Sequence, residues 1–133
     1  MRRSLILVAV AVCLAGCGTV SSAGNFSGEQ ATVAKVIDNL SSYGTSHQAS
    51  NICNKILAPS VAAKLKAAGG TCDSVVSDAL GNVDIFALTV QKVQITGNTA
   101  LVTVKSTSNG KNEIQTLDLV HEKDGTWRLN SFA

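Results

Sequence analysis

The chain has 133 residues, of which 45% are hydrophobic, 15% charged and only 4% aromatic; this suits one globular domain and excludes a disordered polyelectrolyte. Its formal net charge of +2 rests on Arg2 and Arg3. With those two set aside, the eleven Lys/Arg fall to nine and equal the nine Asp/Glu, so no basic stripe remains, aromatic rings are few, and nucleic acid is excluded as a partner.

Met1-Arg2-Arg3 is a basic start, and Leu5 to Ala15 is an almost purely aliphatic run. A membrane-spanning helix needs about 20 apolar residues. The run is too short for that, and its basic, apolar, small-residue order is that of a secretory signal. Leu14-Ala15-Gly16-Cys17 then resembles the lipobox of bacterial lipoproteins. That resemblance implies a leader over 1–16 that is removed and a diacylglycerol on Cys17. The protein would then sit on the extracytoplasmic side of a cell membrane. Two acyl chains suffice for a lasting anchor where one does not. Residues 17–27 form the expected lipidated cysteine and tether, uncharged and small, with a flexible-coil reach of roughly 17 Å. Phe26 is its one large residue and a candidate for docking on the domain.

Of the four cysteines, Cys13 leaves with the leader and Cys17 carries lipid. Cys53 and Cys72 remain as an even pair in a compartment that permits disulfides. A bridge between them would close a loop of about 20 residues and contribute roughly 3 kcal/mol by loop-closure entropy. Two buried free thiols are the alternative.

The folded domain is expected over 28–133. Ser27-Gly-Glu-Gln30 has capping-box spacing, and Val33, Val36, Ile37 and Leu40 follow as the apolar stripe of a helix. That helix ends at Ser41-Ser42-Tyr43-Gly44. Thr45 with Gln48 opens a second helix through Ile52, Cys53 and Ile56. Pro59 suits the first turn of a third, which passes Val61 and Leu65 and stops at Gly69-Gly70. Thr71 caps a fourth, in which Cys72, Val75, Val76, Ala79 and Leu80 share a face up to Gly81.

From about Ile85 the period changes to that of strands. Leu88 to Ile95 is rich in β-branched residues, and Val90 and Val93 are out of phase, which places a β-bulge near Gln91-Lys92. After a Gly97-Asn98 turn, Ala100, Val102 and Val104 alternate with Leu101, Thr103 and Lys105. Asn109-Gly110 is a hairpin signal. Ile114 to Glu122, an Asp124-Gly125 turn, and Trp127 to Phe132 complete the meander. Helices followed by antiparallel strands give an α+β fold, about four helices on a four-stranded antiparallel sheet.

The closing hairpin, Asp124-Gly125-Thr126-Trp127-Arg128-Leu129, resembles the acidic-Gly-x-Trp-basic-aliphatic hairpin of the nuclear-transport-factor-2-like (cystatin-like α+β) superfamily. The helical insert with its two cysteines is similar to that of small actinobacterial-type lipoproteins of this fold. The resemblance covers about Gly28 to Ala133. It implies a curved sheet in a cone shape, with a pocket between helices and sheet. Members include isomerases, dehydratases and non-catalytic binding domains, so the fold leaves function open.

Tyr43, Trp127 and His121 are the candidate pocket residues. Enzymes of the superfamily that resemble ketosteroid isomerase use an Asp base with a Tyr or protonated Asp donor, which brings in Asp84, Asp118 and His47. His121 shares strand parity with Leu117 and Leu119, whereas Asp118 falls on the other face, which argues against a dyad. Tyr43 at a helix end reads as a core edge, Trp127 as a core anchor, His47 as solvated and Asp84 as a turn residue. The Cys–Cys spacing does not fit a zinc finger, and neither a metal nor another cofactor is expected. The reading is a membrane-anchored, non-enzymatic domain that binds a small apolar ligand or an envelope protein. An assembly partner in the envelope and an isomerase or dehydratase are the alternatives.

Overall fold

The computed structural model describes residues 22–82, 87–108 and 110–132. The expected leader, Cys17, the first half of the tether, Asp84, Ile85 and Asn109 lie outside the described residues. Four helices are followed by four strands in an α+β arrangement, and the antiparallel sheet has the order β1-β2-β3-β4. The sheet is not strongly curled.

Helix α1 (Gly28–Thr45) buries Val33, Ala34, Ile37 and Leu40; of the expected stripe, Val33, Ile37 and Leu40 are buried and Val36 is partly buried against the core. Ser27 stands at its N-cap in extended conformation, but its side chain makes no cap hydrogen bond. The expected capping box does not form, because Gln30 reaches across to the sheet and donates to the Val93 carbonyl at 3.2 Å. A tertiary partner has taken the residue that local spacing assigns to the cap.

Helix α2 (Ala49–Asn51) widens into a π-helical stretch over Ile52–Ile56, closed by the Leu57 amide on the Ile52 carbonyl at 3.0 Å. Ile52, Cys53 and Ile56 are buried. Thr45, expected to open this helix, belongs instead to the last turn of α1. Helix α3 (Pro59–Ala67) starts on its proline, whose missing amide has no partner to lose there. Helix α4 (Cys72–Gly81) is capped by Thr71, whose hydroxyl accepts the Ser74 amide at 3.1 Å. Cys53 and Cys72 are joined by a disulfide with a Cα separation of 6.1 Å, which ties α4 to the π-helical stretch.

The strands are β1 (Ala87–Thr96), β2 (Thr99–Ser108), β3 (Lys111–His121) and β4 (Trp127–Phe132). The register of β1 on β2 skips Gln91. That bulge keeps Leu88 and Val90 on the same buried face as Val93, which strict alternation would not allow. A second irregularity lies in β4, where Asp118 pairs Ser131 and Leu119 pairs Leu129, leaving Asn130 over. Gly97 and Gly125 have φ of +59° and +86°, a backbone state that glycine adopts without a Cβ clash.

Helix α1, the π-helical stretch and α3 contact the sheet, while α4 packs mainly on the other helical segments; the core between helices and sheet is built on Ala100, Val102, Leu117, Leu119 and Leu129, each at most 1% exposed. Both sheet edges are occupied. Along β1, the Leu88 amide donates to the Ser41 hydroxyl at 3.1 Å and the Val90 amide to the Ser22 hydroxyl at 3.0 Å. Along β4, the Ala58 amide donates to the Leu129 carbonyl at 2.8 Å. Such contacts satisfy some of the backbone groups through which edge strands pair with other chains.

The described end of the expected tether packs on this body. Residues 23–25 form a single 3-10 turn, and the Asp38 carboxylate accepts the amides of Ser22 (3.1 Å) and Ala23 (2.9 Å). Phe26 packs against the core. Residues 22–27 therefore act as a strap on α1 and β1, so this part of the expected tether is not a flexible coil.

Candidate functional site

The sheet's inner face is apolar over most of its length and changes character toward the β2–β3 hairpin. Across β2 and β3 the inward pairs are Ala100 with Leu119, Val102 with Leu117, Val104 with Gln115, and Ser106 with Glu113. Helices α3 and α4 stand opposite this transition without closing on it. No residue of α3 is fully buried, and in α4 only Leu80 is. The result is a cavity of about 480 Å³.

Its helical wall is Leu40 of α1, Ile52 and Leu57 around the π-helical stretch, Val61 and Leu65 of α3, and Val75, Val76, Ala79 and Leu80 of α4. Its sheet wall is Ala87 and Leu88 of β1, Leu117 of β3 and Leu129 of β4, with Ser106, Thr107, Glu113 and Gln115 at the hairpin end. Glu113 is the only ionisable side chain among these residues. The volume lies in the range of small-ligand sites, and an apolar wall with a few polar groups at one end is their usual make-up.

The three candidate pocket residues lie elsewhere. Tyr43 is half-buried at the end of α1, with the Lys55 ammonium 5.9 Å from its ring centre. Trp127 is 3% exposed and part of the core. His121 stacks on it with ring centres 4.8 Å apart, and its Nε2 is 3.0 Å from the Gly125 carbonyl oxygen. The parity argument for His121 holds, since it shares a face with Leu117 and Leu119. Position along the strand decides otherwise: His121 ends β3 at the closing turn, whereas the cavity lies at the β2–β3 end.

Asp118 projects from the other face toward the Ser131 hydroxyl at 3.5 Å. Asp118 and His121 are thus not brought together. His47 is exposed at φ 54°, in a left-handed state that ends α1, so it serves the turn. Among the described residues no cluster of three or more His, Cys, Asp or Glu could hold a metal ion, and no helix is long and apolar enough to cross a membrane. The Thr126 hydroxyl and amide, both donating to Asp124, hold its carboxyl below the ordinary 3.8, with a smaller contribution from Arg128.

Sequence reasoning treated Val61, Leu65, Val75, Val76 and Ala79 as packing faces of their helices, and so missed the cavity wall. One signal was available. Ser106, Glu113 and Gln115 continue the inward parity of Val102 and Leu117, so the alternation itself announces that the apolar face ends before the strands do.

No protein-family model, curated protein or solved structure matches the chain.

Proposed function

We propose that this chain is a lipoprotein held on the extracytoplasmic face of a membrane through Cys17, and that its domain binds a small apolar ligand in the cavity between α3, α4 and the sheet. The observation that carries the binding role is the 480 Å³ cavity walled by aliphatic side chains, with Glu113 the only ionisable lining group among the described residues. Acid–base turnover needs at least one well-placed acid or base beside the reacting atoms, and usually a partner for it. A lone carboxylate at the rim of an aliphatic chamber favours retention of a ligand over its conversion. The order of helices and meander, with the Asp124–Leu129 hairpin, supports a cone of the nuclear-transport-factor-2-like kind as the form of this domain.

The assembly-partner reading calls for a continuous exposed apolar patch. Among the described residues the exposed large apolar side chains of the outer sheet face, Leu101 and Ile114, stand opposite Asp118 and Lys105. They are separated by four positions of register, about 13 Å, which favours the cavity over the sheet as the binding element.

Two measurements test the proposal. Growth with an alkyne-bearing fatty acid labels the wild-type chain and leaves Cys17→Ser unlabelled and released from the membrane fraction; a labelled Cys17→Ser chain overturns the anchor. Native mass spectrometry of the Cys17→Ser chain shows added mass that denaturation releases, or uptake of an apolar dye if the cavity is empty. Absence of both added mass and dye uptake overturns the binding role.

A further inference from the structure

We propose that the cavity's ligand is a single-chain amphiphile with an uncharged hydroxyl or amide head, the chain lying along α3 and α4 and the head at Ser106, Glu113 and Gln115. This deepens the cavity reading and rests on it. The argument starts from where polarity is placed. The inward pairs pass from Val102–Leu117 through Val104–Gln115 to Ser106–Glu113, so the wall turns from apolar to polar over four residues, about 13 Å of strand. The facing helices offer only Val61, Leu65, Val75, Val76, Ala79 and Leu80. A ligand that satisfies both walls is apolar along its length and polar at one end.

The sign of the charge selects the head. Among the described residues no lysine or arginine lines the cavity, and Glu113 does. A carboxylate or phosphate head would meet a like charge at the exposed Glu113, a repulsion that water and salt screen in part. A hydroxyl or amide head instead donates to the Glu113 carboxylate in a charge-assisted hydrogen bond. The carboxylate is open to this, since its contact with Gln115 Nε2 is long at 3.5 Å. Size selects one chain. A volume of 480 Å³ holds about sixteen groups the size of a water molecule, enough for one medium chain with its head but too little for a two-chain lipid.

The test uses the full chain carrying Cys17→Ser, so that no lipid of its own competes, loaded with an uncharged naphthylamine dye whose emission rises in apolar surroundings. Octanol, decanol and dodecanol are expected to displace the dye with affinity rising about fourfold per methylene. Dodecanoate at neutral pH is expected to be at least tenfold weaker than dodecanol, with Glu113→Lys reversing that order. Ala79 lines the cavity yet is exposed, so Ala79→Trp fills the chamber without disturbing the core and abolishes both dye and alcohol uptake while circular dichroism stays unchanged. Dye uptake with dodecanoate equal to or stronger than dodecanol, or with no dependence on chain length, overturns the amphiphile and leaves the apolar site standing. No dye uptake overturns both, and unchanged uptake in Ala79→Trp places the binding elsewhere and overturns the assignment.

Discussion

The Ser22 hydroxyl accepts the Val90 amide at 3.0 Å across 68 residues of sequence, and Ser22 is only 1% exposed. With Asp38 taking the Ser22 and Ala23 amides, this one contact converts the end of a sequence-level tether into part of the sheet's edge. Ser22→Ala leaves the Val90 amide buried and without its acceptor. A loss of about 1–3 kcal/mol is expected. Urea unfolding measures it, and faster hydrogen exchange at Val90 than at Val102 localises it. Unchanged exchange at Val90 would show that the strap is incidental.

The Cys53–Cys72 bridge spans 19 positions and joins two helical segments that otherwise share few buried side chains, since α4 buries only Leu80. Replacing both cysteines by serine is expected to lower stability by about 2–4 kcal/mol. Adding reductant to the wild type should reproduce that loss and leave the double variant unaffected. Equal stability of the two proteins in oxidising buffer would remove the bridge from the account of stability. Because α4 forms one wall of the cavity, the same variant should also bind the apolar dye more weakly.

How far the sequence could be read follows from what each signal depends on. The bulge at Gln91 was legible because Val90 and Val93 had to share a face, and α3 and α4 because Pro59, the Thr71 cap and the glycine stops are local. The capping box over Ser27–Gln30 was equally local, yet Gln30 found a better-placed acceptor in Val93, 63 residues away. Long-range partners are invisible to spacing. The site suffered in the same way. Tyr43, Trp127 and His121 stood out by residue type, and Trp127 proved to be core with His121 stacked on it. The cavity wall consists of common aliphatic residues, distinguished only by what fails to cover them. That depends on how far α3 and α4 stand from the sheet, which no single helix encodes.

Asp124 offers a pH test at the closing turn. Its Oδ1 accepts the Thr126 hydroxyl at 2.6 Å and the Thr126 amide at 3.0 Å, and these bonds favour the charged form. A carboxyl lowered in the folded state contributes stability that is fully present above its unfolded value, near 3.8, and lost as pH falls through the lowered one. A carbon-detected titration is therefore expected to place the Asp124 midpoint below 3.8, and Thr126→Ala to move it back up. A midpoint at or above the ordinary value would mean that the turn does not hold these bonds in solution. The group is solvent-exposed, so the titration itself is the sensitive readout, not global stability.

Deletion of Gln91 tests whether the bulge sets the fold. In the observed register Val90 pairs Val104 and Lys92 pairs Thr103, so Gln91 is an extra residue that the bulge absorbs, and the bulge lets the two halves of β1 share one buried face. Without Gln91 the period of two becomes continuous, and Leu88, Val90, Val93 and Ile95 all fall on the inward parity with no bulge needed. The pairs Val90–Val104, Lys92–Thr103 and Val93–Val102 can then form one regular ladder. Cooperative unfolding within about 1–2 kcal/mol of wild type is expected for the deletion, and Gln91→Ala, which keeps the extra residue and changes only an exposed side chain, should stay within about 0.5 kcal/mol. A deletion variant that loses cooperative unfolding would show that the fold needs the bend of the bulge itself, and not only the shared face it secures.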